Sequence, residues 1–117
     1  MIKRTIALFS ILAAPVFADP ATVEHVTFKK SGDTFTFTVT LKHTDTGWDD
    51  YADAWRIKDA DGNVLGERKL AHPHVEEQPF TRSLSGVKIS PDIDTVWVDA
   101  HDTVNGWASG DTKVSLR

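Results

Sequence analysis

From Asp33 to His43 the chain reads D-T-F-T-F-T-V-T-L-K-H, which sets Phe35, Phe37, Val39 and Leu41 on one face and four threonines and Lys42 on the other. Side chains of a strand alternate between faces, so this period of two predicts a half-buried strand. Val23 to Lys29 predicts a strand before it, joined through Ser31-Gly32-Asp33, where glycine accepts the positive φ of a hairpin turn. Tyr51 to Lys58 carries Trp55 and Ile57 two apart. Asp59-Ala60-Asp61-Gly62-Asn63 then supplies turn chemistry, and Val64 to Lys69 resumes an extended pattern. Phe80, Arg82 and Leu84 mark a fifth strand, Val96 to His101 a sixth, and Lys113 to Leu116 a seventh. No segment sustains an apolar period of 3.6.

Seven short strands punctuated by Gly, Pro, Asp and Ser predict an all-β, seven-stranded antiparallel sandwich. Trp55 is expected in the core and Trp97 on the opposite face of a strand whose Val96 and Val98 point inward. With Trp55 on the third strand, Leu84 on the fifth, and Val96-x-Val98-x-Ala100 followed by Asn105-Gly106 before the last, the sequence resembles the immunoglobulin and fibronectin type III group. The resemblance is architectural and spans nearly all of residues 19–117. It implies an immunoglobulin-like β-sandwich and identifies no particular family. Such sandwiches host many functions, so function has to be read from a site.

The first eighteen residues read differently. Lys3 and Arg4 form a positive start, Ile6 to Val16 is apolar, and Val16-Phe17-Ala18 has the form of a cleavage site, so residues 1–18 are expected to be a secretory signal peptide. The apolar run of about 11 residues is too short for a bilayer core of about 30 Å. A domain of residues 19–117 beginning at Asp19 is therefore expected in the periplasm or outside the cell, with no membrane insertion after cleavage.

Composition narrows the chemistry. The 117 residues include no Cys and one Met, at position 1. Disulfide frameworks, thiolate zinc sites, iron–sulfur clusters and thiol nucleophiles are excluded, and any metal must be held by nitrogen and oxygen. Loss of Lys3 and Arg4 with the signal moves the balance from 13 positive and 17 negative side chains to 11 and 17, a net of −6. Nucleic acid is not an expected partner of such a surface.

The five histidines carry the candidate chemistry: His25, His43, His72, His74 and His101. In a sandwich of alternating strands, all five lie near one pole. His72-Pro73-His74 adds local geometry, because the residue before proline is extended and residues two apart on an extended segment point the same way. His72, His74 and His101 are the expected core ligands of a metal ion, His43 a fourth, and Asp99, Asp102 and His25 weaker candidates. Asp45, Asp99 and Asp102 also suit a role as acceptors that orient a ligating imidazole. Trp48, Tyr51 and Trp107 are expected to form an apolar rim.

Several imidazoles with a carboxylate suit Cu²⁺ first by the affinity order, with zinc as the alternative. The function expected is that of an extracytoplasmic metal-binding protein, for copper first, that carries or buffers the ion and passes it to a protein partner. Two other classes stay open. One is an aromatic-rimmed module that binds protein or carbohydrate without metal. The other is a copper or iron redox enzyme acting on superoxide, against which stand the missing Cys ligand and the missing second histidine-rich loop. No residue is assigned a catalytic role: Ser83 and Ser85 lack a G-x-S-x-G elbow, Glu76 and Glu77 suit a solvated linker, and Asp59-x-Asp61-Gly62-Asn63 reads as a hairpin turn rather than a calcium loop.

Overall fold

A computed structural model describes residues 19–117; the signal-peptide expectation for residues 1–18 lies outside them. Among the described residues the elements are β1 (Thr22–Ser31), β2 (Thr34–Lys42), β3 (Ala52–Lys58), β4 (Val64–Lys69), β5 (Phe80–Lys88), β6 (Thr95–Asp102), β7 (Gly106–Trp107) and β8 (Thr112–Ser115). The alternating run becomes β2, with Phe35, Phe37, Val39 and Leu41 buried. The hairpin turn before β4 is fastened by Asp59, whose Oδ1 accepts the amides of Asp61 and Asn63 at 2.9 Å each.

Eight strands stand where seven are expected from the sequence. The addition is β7, two residues long and therefore without a readable alternation. Gly106 adopts a φ of +78°, a left-handed conformation suited to glycine, and so returns the chain to β6, where Trp107 pairs with His101. The strand expected at Lys113–Leu116 is β8, which pairs with β6 further along.

The strands form two antiparallel sheets, β1-β2-β5 and β4-β3-β6, with β7 and β8 both on β6. This is an immunoglobulin-like sandwich: β1, β2 and β5 occupy the places of strands A, B and E, β3, β6 and the last strand those of C, F and G, and β4 adds to the edge of β3. Phe37, Val39 and Leu41 from the first sheet meet Trp55, Ile57, Val96 and Val98 from the second, all fully buried. Apolar area removed from water on both inner faces is the dominant favourable contribution to this fold.

Antiparallel pairing also fixes the poles. The end of β2, the start of β3, the exit of β4 and the end of β6 meet at one pole. The start of β1 joins them there, as the Ala21 amide reaches Oδ2 of Asp102 at 3.3 Å. Between Ala52 and Ala54 the register of β3 on β6 slips by one residue, so a bulge at Asp53 interrupts the ladder at that pole.

Candidate metal centre

His43 follows the last residue of β2 and is only 4% exposed. Its Nδ1 lies 2.6 Å from Oδ1 of Asp45, which is equally buried. Asp45 is held in turn by two backbone donors: the Ala52 amide to Oδ1 at 3.0 Å and the His74 amide to Oδ2 at 2.7 Å. Asp45 thus ties the end of β2, the start of β3 and the loop after β4 to one carboxylate. A carboxylate on Nδ1 fixes the tautomer that leaves Nε2 as the available nitrogen.

That nitrogen faces two more carboxylates, Asp50 Oδ1 at 3.5 Å and Asp102 Oδ2 at 3.8 Å. These separations are too long for hydrogen bonds. They approach the spacing of co-ligands, because a tetrahedral ion with bonds of about 2.0–2.2 Å sets its ligands roughly 3.3–3.6 Å apart. Among the described residues, His43, Asp50 and Asp102 form the one group of three metal-capable side chains whose ligand atoms all lie within 4.8 Å of each other. Asp50 Oδ1 is buried and accepts no hydrogen bond, a costly state for an anionic oxygen unless a positive charge faces it.

Asp102 is otherwise well anchored. Burial alone would push its carboxyl up. The hydrogen bonds from the Asn105 amide and side chain and the Val104 amide, with the charge of His43, outweigh burial and hold it below the ordinary carboxylate value. Asp102 is therefore ionised at neutral pH. The 47–50 turn that carries Asp50 is closed by the Asp50 amide on the Gly47 carbonyl at 3.2 Å and the Thr46 amide on the Asp50 carbonyl at 2.9 Å. Thr103, next to Asp102, stitches this turn to β6: its amide donates to the Tyr51 carbonyl and its Oγ1 accepts from the Tyr51 amide.

His72, His74 and His101 lie near the same pole without joining this group, whereas His25 and Asp99 lie further along their strands, opposite Thr40 and Arg56. His74 is buried with its ring stacked on Phe80 at 3.9 Å, and its Nε2 accepts from Arg82 Nη2 at 2.9 Å. Burial, then the Arg82 and His72 charges, hold its pKa below the usual imidazole value. A guanidinium only donates, so Nε2 of this neutral ring is already used, while its Nδ1 is buried without a partner. His72 is exposed, 4.7 Å from the His74 ring between centroids, with Nδ1 directed at the Pro73 carbonyl at 3.0 Å.

His101 sits one residue before Asp102, and strand alternation turns it to the outer face of the second sheet. There its Nδ1 meets Asp53 Oδ1 at 2.5 Å, a reach that the bulge at Asp53 makes possible. Asp99 lies on the same outer face, where Arg56 Nε at 2.9 Å and Lys58 Nζ at 3.1 Å neutralise it, so its oxygens serve an ion-pair network. His25 is exposed on β1, paired across from Thr40. The aromatic rim divides as well: Trp48 and Tyr51 share the loop beside Asp50, with centroids 5.6 Å apart, whereas Trp107 lies under Arg56 on the outer face at 3.6 Å.

Sequence reading gave no site role to Asp50, Asp53, Gln78 or Arg82. Gln78 bridges two loops, accepting from the His43 amide at 3.0 Å and donating to the His74 carbonyl at 2.9 Å. Asp50 lies in an irregular loop, where no periodicity gives a side chain its direction.

No protein-family model matches the chain. Over 88 residues, 74% of its length, it is 39% identical to a protein of Halomicrobium mukohataei named "Putative lipoprotein". The chain spans 43% of that relative's length. Among solved structures it resembles a hypothetical protein of Pyrococcus horikoshii OT3, with a TM-score of 0.53 and 12% identity over 86% of this chain and 89% of that one. It also resembles a DUF3823 family protein of Bacteroides ovatus, with a TM-score of 0.51 and 14% identity over 86% of this chain and 57% of the other. At such identities the likeness is one of fold, and it agrees with a β-sandwich that belongs to no identified family.

Proposed function

We propose that this domain is an extracytoplasmic protein that binds a divalent metal ion through His43 Nε2, Asp50 and Asp102, with Asp45 orienting the imidazole. One observation carries the reading: a buried carboxylate oxygen of Asp50 without a hydrogen bond, 3.5 Å from the nitrogen that Asp45 leaves available. One imidazole and two carboxylates form a harder donor set than the cluster of imidazoles expected from the sequence. This moves the preferred ion from copper towards Zn²⁺ or Mn²⁺. Two carboxylates balance the charge of a divalent ion, and three protein ligands leave a fourth position open. The extracytoplasmic placement is supported by the name of the Halomicrobium mukohataei relative and by the expected signal peptide.

Titration of the purified domain with Zn²⁺, followed by calorimetry and melting temperature, tests this. Equimolar binding with a raised melting temperature is expected, since a ligand bound to the native state alone stabilises it by mass action. Asp50→Asn is expected to weaken binding strongly while the apo domain stays folded. Absence of stoichiometric binding would mean that His43 is an imidazolium closing a purely structural carboxylate cluster.

A further inference from the structure

Among the described residues β1 is the outer strand of its sheet, and no strand pairs with its other edge. Such an edge presents a row of free amides and carbonyls, a template for a further strand unless short length, proline or an inward-pointing charge blunts it. β1 is ten residues long, the longest of the described strands, and contains no proline. The other edges are less open: β8 has four residues, and the carbonyl of Ser83 on β5 is taken by Arg68 Nη1 at 2.8 Å. The inner row of β1 is also left half covered. Val23, Val26, Phe28 and Lys30 pair with the core residues Leu41, Val39, Phe37 and Phe35 and share their face. Phe28 stands 6.0 Å from both Phe35 and Phe37 between centroids, yet is 36% exposed, and Val26 is half-buried.

We infer that β1 pairs antiparallel with β1 of a second copy about a twofold axis beside Thr27, which joins two three-stranded sheets into one of six. Opposite residues of an antiparallel pair share a face, so such an axis passes beside a residue and not between two. Residues equidistant from Thr27 then meet: Val26 lies against the partner's Phe28 and Glu24 opposite the partner's Lys30, each twice by symmetry. Alternation back from His25 across the bulge sets Glu24 on the side of Lys30. On the outer face Thr27 meets Thr27, and His25 meets Lys29. An axis one residue earlier would set Glu24 against Phe28, and one residue later would set Lys30 on Val26. Lys30 is the inward charge that guards this edge, and the Thr27 register neutralises it with a charge of the same strand. That self-complementarity selects a second copy as the occupant.

Sedimentation equilibrium of the purified protein tests this, with EDTA to exclude metal-bridged association and about 50 mM salt to limit screening of exposed charges. A concentration-dependent dimer is expected. Glu24→Lys and Lys30→Glu should each weaken it about tenfold, since each sets two like-charged pairs opposite one another, and the two together should restore it to within about threefold. Both charges are exposed, so the variants are expected to keep the circular dichroism of the parent. The chain has no cysteine. Thr27→Cys should therefore give a disulfide-linked dimer under mild oxidation, whereas Val26→Cys, displaced from its own copy by two residues along the strand, should not. A monomer at every concentration up to about 1 mM overturns the inference. So does a dimer that is indifferent to both charge reversals, or one that cross-links through Val26→Cys and not through Thr27→Cys.

Discussion

Asp45 holds the Nδ1 of His43 at 2.6 Å, and through the amides of Ala52 and His74 it also holds the two chain segments that wall the pole. This one carboxylate is at once a structural clamp and the group that aims His43 Nε2 at Asp50 and Asp102.

Removing it should be felt in both roles. Asp45→Ala leaves three buried donors without their acceptor, and a loss of about 3 kcal/mol or more in urea unfolding is expected. In the protein that remains folded, zinc affinity should fall about 10- to 100-fold, the usual effect of losing a carboxylate behind a ligating imidazole. An unchanged affinity would show that Asp45 does not orient the ring for a metal.

The remaining histidines separate a His/Asp/Asp centre from a histidine cluster. His72→Ala and His101→Ala should each leave zinc affinity within about twofold, because the imidazole of one is exposed beside Pro73 and that of the other is on the far face against Asp53. His43→Ala should abolish tight binding. A large loss from His72→Ala in calorimetric titration would restore the ligand set expected from the sequence.

Acid should unfold the metal-free domain in two stages. The folded state holds the His74 pKa down, so His74 stays neutral where the unfolded chain takes up a proton near pH 6.5. Its contribution is complete above about pH 6.5 and is lost as pH falls through the lowered value. Asp102 is also held down, so its contribution is present above about pH 4 and is lost in stronger acid. With EDTA present, urea midpoints measured from about pH 8 downward should decline first through the His74 window. His74→Gln should flatten that window alone.

Trp55 provides a check on the core. Its side chain is fully buried and its indole Nε1 has no hydrogen-bond partner. Trp55→Ala should cost about 3–5 kcal/mol through the cavity left behind. Trp55→Phe should cost much less, because it removes a buried donor that is already unsatisfied. Equal losses in the two variants, measured by denaturant unfolding, would show that the indole nitrogen has a partner.

Much of the fold was legible because period-two alternation is a local signal. β4 falls on Val64–Lys69 as the pattern predicts, Phe35, Phe37, Val39 and Leu41 of β2 are buried with half-buried threonines between them, and Val96, Val98 and Ala100 of β6 are buried as read, although Asp99 between them is buried as well. β7 was not legible, since two residues carry no period and their pairing depends on the Gly106 turn. The pole of the site was legible from strand direction, but the grouping at that pole was not. His101 and Asp102 are neighbours in sequence yet face opposite sides of one strand, so counting histidines at a pole overstates how many can share an ion. The position of Asp50 follows from a loop stitched by Thr103 to Tyr51, a contact between residues 52 apart in the chain that no local pattern encodes.

The most direct measurement is anomalous diffraction at the zinc edge from crystals of the zinc-loaded domain. A dominant peak is predicted about 2 Å from His43 Nε2 and in coordination distance of Asp50 and Asp102. A peak at His72 or His101, with none at His43, would contradict the account.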